Sequence, residues 1–414
     1  MRVLMVSSLW PPEVLGGAEQ YAAALTQRLR AAGHVVGVVT LGVGGDDVVG
    51  QIPSWPYPMG EYEDQPAMRR ALFHASDIGR LDTRRVMERA LEEFRPDVVH
   101  SHVVQGMSAA ALTAPGRRRI GHVHTLHDYW LLCQRNSMVQ RDGTACTTLC
   151  TSCRAVSGIR NRQITRHAPD VVVAVSEAVA RPHLAHVAWM RGRTRVVYNP
   201  VEAPHPGSAH RKSGAPVTFG YFGRLGRDKG ILTLLAAFEV AASGVSLPGG
   251  GSLNEPGLGG ARLLIAGRGA EETAVRAAAC ANPRVEYRGW VSAEAKDALL
   301  SELDALVVPS QWQDPAPLVV NEARARGLTV IGTAAGGIPE LIAPASEPLL
   351  VPPGDRDALA VALARFAANP EVFRSVPEAV PTDWRAHLAA IETAYADAIA
   401  GAVTAEARAG RGPR

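Results

Sequence analysis

Asp314 and Glu322 stand with seven residues between them, in the segment PSQWQDPAPLVVNEARARGLTVIGTAAGGIPE. Carboxylates accept paired hydrogen bonds from vicinal hydroxyls, so two at this spacing suit a sugar or a ribose. The apolar run Ala305–Val308 before them reads as a buried parallel strand. Asp314 falls in the loop that follows, and Glu322 in a helix beginning near Pro317 and ending at Gly327. The next strand, Thr329–Ile331, runs into Gly336-Gly337. Acids and glycines therefore gather at the carboxyl ends of adjacent strands, where open α/β sheets bind ligands. A helix with solvated surface acids is the competing reading of this segment by itself.

About ninety residues upstream, Gly223-Arg224-Leu225-Gly226-Arg227-Asp228-Lys229-Gly230 links the strand Val217–Tyr221 to the helix Ile231–Val240. Glycines after a strand let the backbone approach a ligand, and a helix N-terminus favours an anion. Arg224 adds a planar fork and Lys229 a point charge, which together suit a diphosphate. The spacing is not that of a Walker loop, and no G-x-G-x-x-G follows the first strand Arg2–Ser7. There Gly16-Gly17 opens a helix instead, with backbone N–H groups available to a phosphate or an acceptor.

Strand and helix alternate around these loops. Gly17–Ala32 and Asp82–Phe94 read as helices; Val35–Thr40, Asp97–His100, Ile120–Thr125, Val171–Val175 and Arg262–Ala266 read as strands. The stretch Val201–Pro216 is the natural interdomain linker, and Ser243–Gly260 a glycine-rich insertion. Asp383–Ala400 is helical by pattern, and Ala405–Arg414 is expected to fray. His127 lies just past the carboxyl end of Ile120–Thr125. His100, His102, His122 and His124 compete with it for a site role; the last two share one strand face and read as structural. Asp128 fits either orientation of His127 or a cap on the next turn.

On these motifs the chain resembles the retaining, nucleotide-sugar-dependent glycosyltransferases of family 4. The matching pieces are Pro12–Glu19, His127, Ser176-Glu177, Asn199-Pro200, Gly223–Gly230, Gly267-Arg268-Gly269 and the acid-x7-acid segment. The resemblance implies α/β architecture with two Rossmann-like domains facing across a cleft, the GT-B fold. Residues 1–200 would form an acceptor-side domain and 201–380 a donor domain. Residues 381–414 would hold a helix returning to the first domain. It implies that Arg224 and Lys229 grip a donor diphosphate, that Glu322 binds ribose hydroxyls, and that His127 lies against the donor sugar. Asp314 would touch the transferred sugar, although glutamate is usual there and aspartate reaches about 1.5 Å less. Gly16, Gly17, Gly223 and Gly267 complete the expected donor site; Ser176, Asn199 and Glu340 would shape it. UDP is the commonest carrier among similar enzymes, and no catalytic cofactor is expected. The acceptor would be a hydroxyl of a lipid, glycan or small natural product. A non-catalytic nucleotide-sugar-binding homologue, and an epimerase or phosphorylase on the same fold, are the alternatives.

Four of the five cysteines cluster as Cys133-x12-Cys146-x3-Cys150-x2-Cys153. In a reducing compartment such a cluster reads as a closed metal site, Zn²⁺ ahead of iron–sulfur, with no open position for catalysis. Cys280 alone on a helix is expected in the core.

The 414 residues exceed one ordinary core, and 47% hydrophobic with 20% charged residues is globular rather than disordered. A net charge of +3 gives no reason to expect nucleic acid. Absence of a long apolar run argues against a membrane span. The immediate strand Met1–Val6 leaves no room for a signal peptide, so a cytoplasmic location is expected. Arg117-Arg118-Arg119, and Trp189 with Met190, Arg191 and Arg193, fit a solvated basic face first and peripheral contact with an anionic membrane second.

Overall fold

The valine-rich runs become strands buried on both faces, as an all-parallel sheet requires. A computed structural model of the chain describes residues 1–13, 16–42, 45, 47–55, 65–140, 144–146, 148–202, 216–244, 258–342, 344–373 and 383–409. Val14 and Leu15, nearly all of the expected linker, the middle of the glycine-rich insertion and the last five residues lie outside the described residues. No described helix is long and apolar enough to cross a membrane.

Two compact units emerge. Met1–Met138, Cys146–Asn199 and Arg385–Arg414 form the first; Val139–Ala145 and Pro200–Trp384 form the second. The first holds β1 (Arg2–Val6), β2 (Val35–Leu41), β3 (Val48–Ile52), β4 (Val98–Ser101), β5 (Gly121–Leu126), β6 (Val171–Ala174) and β7 (Thr194–Val196). Their order is β3-β2-β1-β4-β5-β6-β7, every pair parallel. The second holds β8 (Thr218–Phe222), β9 (Arg262–Ala266), β10 (Val285–Tyr287), β11 (Ala305–Val308), β12 (Thr329–Thr333) and β13 (Leu350–Val351). Their order is β10-β9-β8-β11-β12-β13, again parallel throughout. Each sheet is doubly wound, and its order reverses once: between β1 and β4 in the first, between β8 and β11 in the second. Those switch points are where a ligand is expected.

The second sheet's core packs Phe219 from β8 against Phe238 and Phe366 from two covering helices, all three fully buried. Burying a side chain of this size contributes roughly 1.5–3 kcal/mol. The tail helix runs Trp384–Ala409, beyond the Ala400 expected, and its Ile391, Ala394, Tyr395 and Ala398 are buried along one stripe.

Several elements went unread in the sequence. The helices Ala67–Ile78 and Thr151–Thr165 are two of them. Among the described positions of the second, only Ser157, Arg160 and Ile164 are buried, so it carries no apolar stripe to recognise. What anchors both helices is a buried polar network. Asp77 Oδ2 accepts from Arg160 Nη2 and Trp130 Nε1, each at 2.6 Å, and Oδ1 accepts from Gly106 N at 2.7 Å. The Arg160 guanidinium also donates to Trp130 O and lies 4.4 Å from the Trp130 ring. Asp77 and Arg160 side chains are each only 1% exposed. Burial pushes the Asp77 carboxyl up, while the arginine pulls the other way. Removing one partner strands the other charge, so Asp77→Ala is expected to lower unfolding free energy by about 3–5 kcal/mol in urea titrations. A loss below about 1 kcal/mol would mean water replaces the carboxylate.

Cys280 corrects the sequence expectation. It is exposed on the helix Glu272–Ala281, five residues on from the buried Val275 and so well off that helix's inner face.

Candidate functional site

At the switch point of the second sheet, two loops meet. Gly230 adopts φ 75°, and a Cβ there would stand 1.8 Å from the carbonyl oxygen of Pro309, so only glycine lets the loops after β8 and β11 touch. Gly267, after β9, is likewise pressed against Gly223: its Cβ would lie 1.8 Å from Gly223 O. Gln311 N and Trp312 N both donate to Asp228 O, at 2.8 and 3.2 Å, which ties the acid-bearing loop to the basic one.

These contacts place the charges. Lys229, in a tight turn over Arg227–Lys229 that precedes the helix Ile231–Ser243, donates to Asp314 Oδ2 at 2.6 Å. Ser310 Oγ donates to the same oxygen at 3.4 Å, and the ammonium lies 4.8 Å from the Trp312 ring centroid. Asp314 is buried by these partners. Arg224 pairs with Asp228 on the open side of the loop and stays half exposed. Gly337 N donates to Asp314 O and Gly336 N to Gln313 Oε1, so the glycine pair after β12 holds the acid-bearing loop. Glu322, on the helix Leu318–Ala325, accepts from Lys296 Nζ at 2.6 Å through Oε1. Its Oε2 has no hydrogen-bond partner. Lys296 and Trp312 were not singled out in the sequence. Trp312 sits beside Asp314 and was within reach of pattern reading; Lys296 carries no local signal.

The first unit presents a different constellation. Gly16 N donates to Glu19 Oε2 at 2.9 Å, capping the helix Gly17–Ala31. His127 and Asp128 follow β5 and are half-buried. Asp128 Oδ1 accepts from Trp130 N at 2.8 Å, so it caps the next turn. Burial pushes its carboxyl up to about 7, with Glu19 adding to the shift. Ser176 caps the helix Glu177–His186 by accepting from Val179 N at 3.2 Å.

Behind His127 lies a nest of imidazoles. His102 Nδ1 is 3.2 Å from His127 Nε2, and the Tyr21 ring packs 5.1 Å from that of His127. His387 Nδ1 faces the carbonyl of Tyr198 at 3.0 Å and must donate, so its Nε2 accepts the Tyr21 hydroxyl proton at 2.7 Å. His100 bonds Tyr395 Oη and Thr125 Oγ1; His122 and His124 both bond Ser101 Oγ. Burial keeps His127 neutral, down to about 3, and His102 well below its ordinary value. His102 Nε2 is buried with no partner. An unpaired acceptor is tolerated better than an unpaired N–H, which puts the His102 proton on Nδ1. It then donates to His127 Nε2 and leaves His127 with its proton on Nδ1.

Among the described residues, no three His, Cys, Asp or Glu side chains converge as a metal ion would need. Of the expected set, Cys133 and Cys153 come together, their sulfurs 3.9 Å apart; Cys150 is exposed and Cys146 half-buried.

Comparison with known proteins agrees on both halves. Residues 15–203 match the family described as Glycosyltransferase Family 4, and residues 216–369 that described as Glycosyl transferases group 1. The chain is a family 4 glycosyltransferase. As such it uses a nucleotide-sugar donor. This glycosyltransferase is 23% identical over 352 residues to an uncharacterized 42.6 kDa protein in the cps region of Klebsiella pneumoniae, spanning 82% of this chain and 87% of that one. Its fold is that of sucrose-phosphate synthase from Thermosynechococcus elongatus, at TM-score 0.70 and 20% identity, covering 97% and 99% of the two chains. Anabaena HepE, solved with UDP and glucose, aligns at TM-score 0.62 and 17% identity over 99% of each chain. The fold is therefore GT-B.

Proposed function

We propose that this enzyme transfers a sugar from a UDP-linked donor to an acceptor hydroxyl with retention of configuration. The observation that carries the donor site is the juxtaposition of Lys229, Asp314 and the glycine loops at the switch point between β8 and β11. Asp314 and the Trp312 face hold the Lys229 ammonium beside the N-terminus of the helix Ile231–Ser243. Both supply positive charge where the donor's β-phosphate departs. Arg224 joins them once it leaves Asp228 for the phosphate. Glu322, fixed by Lys296 and with Oε2 unpaired, receives the ribose hydroxyls.

His127, half-buried after β5, carries an Nδ1–H suited to donate to a sugar hydroxyl. The acceptor oxygen attacks the anomeric carbon on the face from which the phosphate leaves, and the departing phosphate takes its proton. UDP is the commonest carrier in the family, and HepE was solved with it.

The test is nucleoside diphosphate release across a panel of UDP-, GDP- and dTDP-sugars, with Glu322→Ala alongside. Slow hydrolysis of one UDP-sugar is expected. Losing hydrogen bonds to a charged carboxylate, worth roughly 1.5–3 kcal/mol, should raise the donor KM of the variant about 10- to 100-fold. Equal KM in both proteins removes Glu322 from the ribose site. Failure of every nucleotide sugar to bind removes the whole donor assignment.

A further inference from the structure

The cysteine cluster takes no part in the sugar chemistry, yet its sulfurs are set up in an unusual way. Cys133 follows the loop that carries His127, Asp128 and Trp130. Cys150 and Cys153 lie at the start of the helix Thr151–Thr165, as its N-cap and third residue. Polar groups gather on these sulfurs. Arg135 N donates to Cys133 Sγ at 3.4 Å, and the nearby amides of Ser137 and Met138 help lower that thiol. Cys150 Sγ lies 3.3 Å from Ser152 Oγ, and the amides of Ser152 and Cys153 also favour its thiolate. Amide donors and a helix N-terminus suit thiolates at Cys133 and Cys150, whereas Cys153 donates its thiol proton to Cys133. The buried Arg160 guanidinium adds positive charge close to Cys133 and Cys153.

One sulfur pair already stands at ligand spacing. With Zn–S bonds of about 2.3 Å, neighbouring sulfurs of a tetrahedral site stand about 3.8 Å apart. The Cys133–Cys153 separation is 3.9 Å, and Cys150 adjoins Cys153. Cys146 belongs to the same loop, since its N–H donates at 2.7 Å to the carbonyl of Met138, whose own amide serves Cys133.

We propose that Cys133, Cys146, Cys150 and Cys153 bind one Zn²⁺ as a closed tetrathiolate. The ion draws Cys146 and Cys150 onto the Cys133–Cys153 edge, and the thiol protons of all four leave to solvent, including the one Cys153 donates to Cys133. With four protein sulfurs it offers no position to substrate. Its work is to clamp the segment after β5 to the helix that supplies Arg160, and so to brace the loop bearing His127 and Asp128.

The experiment measures metal by mass spectrometry on the full chain, purified without chelator under mild reduction. Accessible thiols are counted before and after denaturation with a chelator. One zinc per chain is expected, with Cys280 reacting freely and four thiols released only on denaturation. Co²⁺ exchanged into the same protein should show the sulfur-to-metal charge-transfer and tetrahedral bands of a thiolate site. Cys280→Ser should keep the zinc, and Cys153→Ser should lose it; should that variant fail to fold, the wild-type measurements stand without it. Wild-type protein that holds no zinc, takes up no Co²⁺ and exposes all its thiols overturns the proposal. So does iron with acid-labile sulfide, or a Cys133–Cys153 disulfide in the purified chain. Because none of these readouts involves donor turnover, the zinc site and the donor site fail or stand separately.

Discussion

Lys229→Ala is expected to lower kcat by about 10²- to 10³-fold, the usual cost of removing one preorganised donor from a site of developing negative charge. The ammonium lies beside a helix N-terminus and is held by Asp314 and the Trp312 ring, so it is in place before the sugar–phosphate bond breaks. Preorganisation of this kind acts on the transition state more than on the ground state, so kcat should fall further than donor affinity. The substitution also leaves Asp314 buried with only Ser310 beside it, which costs stability. Lys229→Ala with Asp314→Asn removes that stranded charge and separates the two effects. Steady-state kinetics on folded protein decide the matter. A loss of less than tenfold, about 1.4 kcal/mol, would place the cation elsewhere.

A steep acid limit on stability is the second large effect. Burial lowers His122, His124 and His127 to about 3, and His74, His183 and His387 to about 4. His100 and His102 are held well below the usual imidazole value by the same cause. In the unfolded chain these imidazoles titrate near 6.5. Below that pH the unfolded chain takes up protons that the folded protein refuses. Their stabilisation is therefore complete above pH 6.5 and drains away towards pH 3–4, by up to about 1.4 kcal/mol per pH unit for each imidazole.

Asp128 works in the opposite sense. Burial raises it to about 7, so the folded protein binds its proton first as pH falls. Glu19, Asp77 and Asp170 are raised too, but the imidazoles outnumber them. Urea midpoints measured from pH 8 to pH 5 should be level down to about 6.5 and then fall sharply. A flat profile across that range would show that the nest is hydrated and its imidazoles titrate freely.

What was legible in the sequence was local. Apolar runs of four to six residues became parallel strands because burial on both faces leaves no polar alternation, and Ala305–Val308 and Arg262–Ala266 came out residue for residue. The glycine loops were readable because a turn between strand and helix is set by neighbours in the chain.

Pairing was not readable. Strand order put β1 between β2 and β4 and β8 between β9 and β11, and so decided which loops meet. Lys229 found Asp314 across 85 residues, Lys296 found Glu322 across 26, and Tyr21 found His387 across 366. Asp77 and Arg160 drew no notice, because an acid and a base on two polar helices look like solvated surface until packing takes both out of water. Sequence by itself determined most of the strands and the class of ligand chemistry, since these depend on side-chain type and short spacing. Tertiary structure decided which charge faces which and which histidine carries its proton where. A buried polar group must find its partner in three dimensions, and no local pattern records who that partner is.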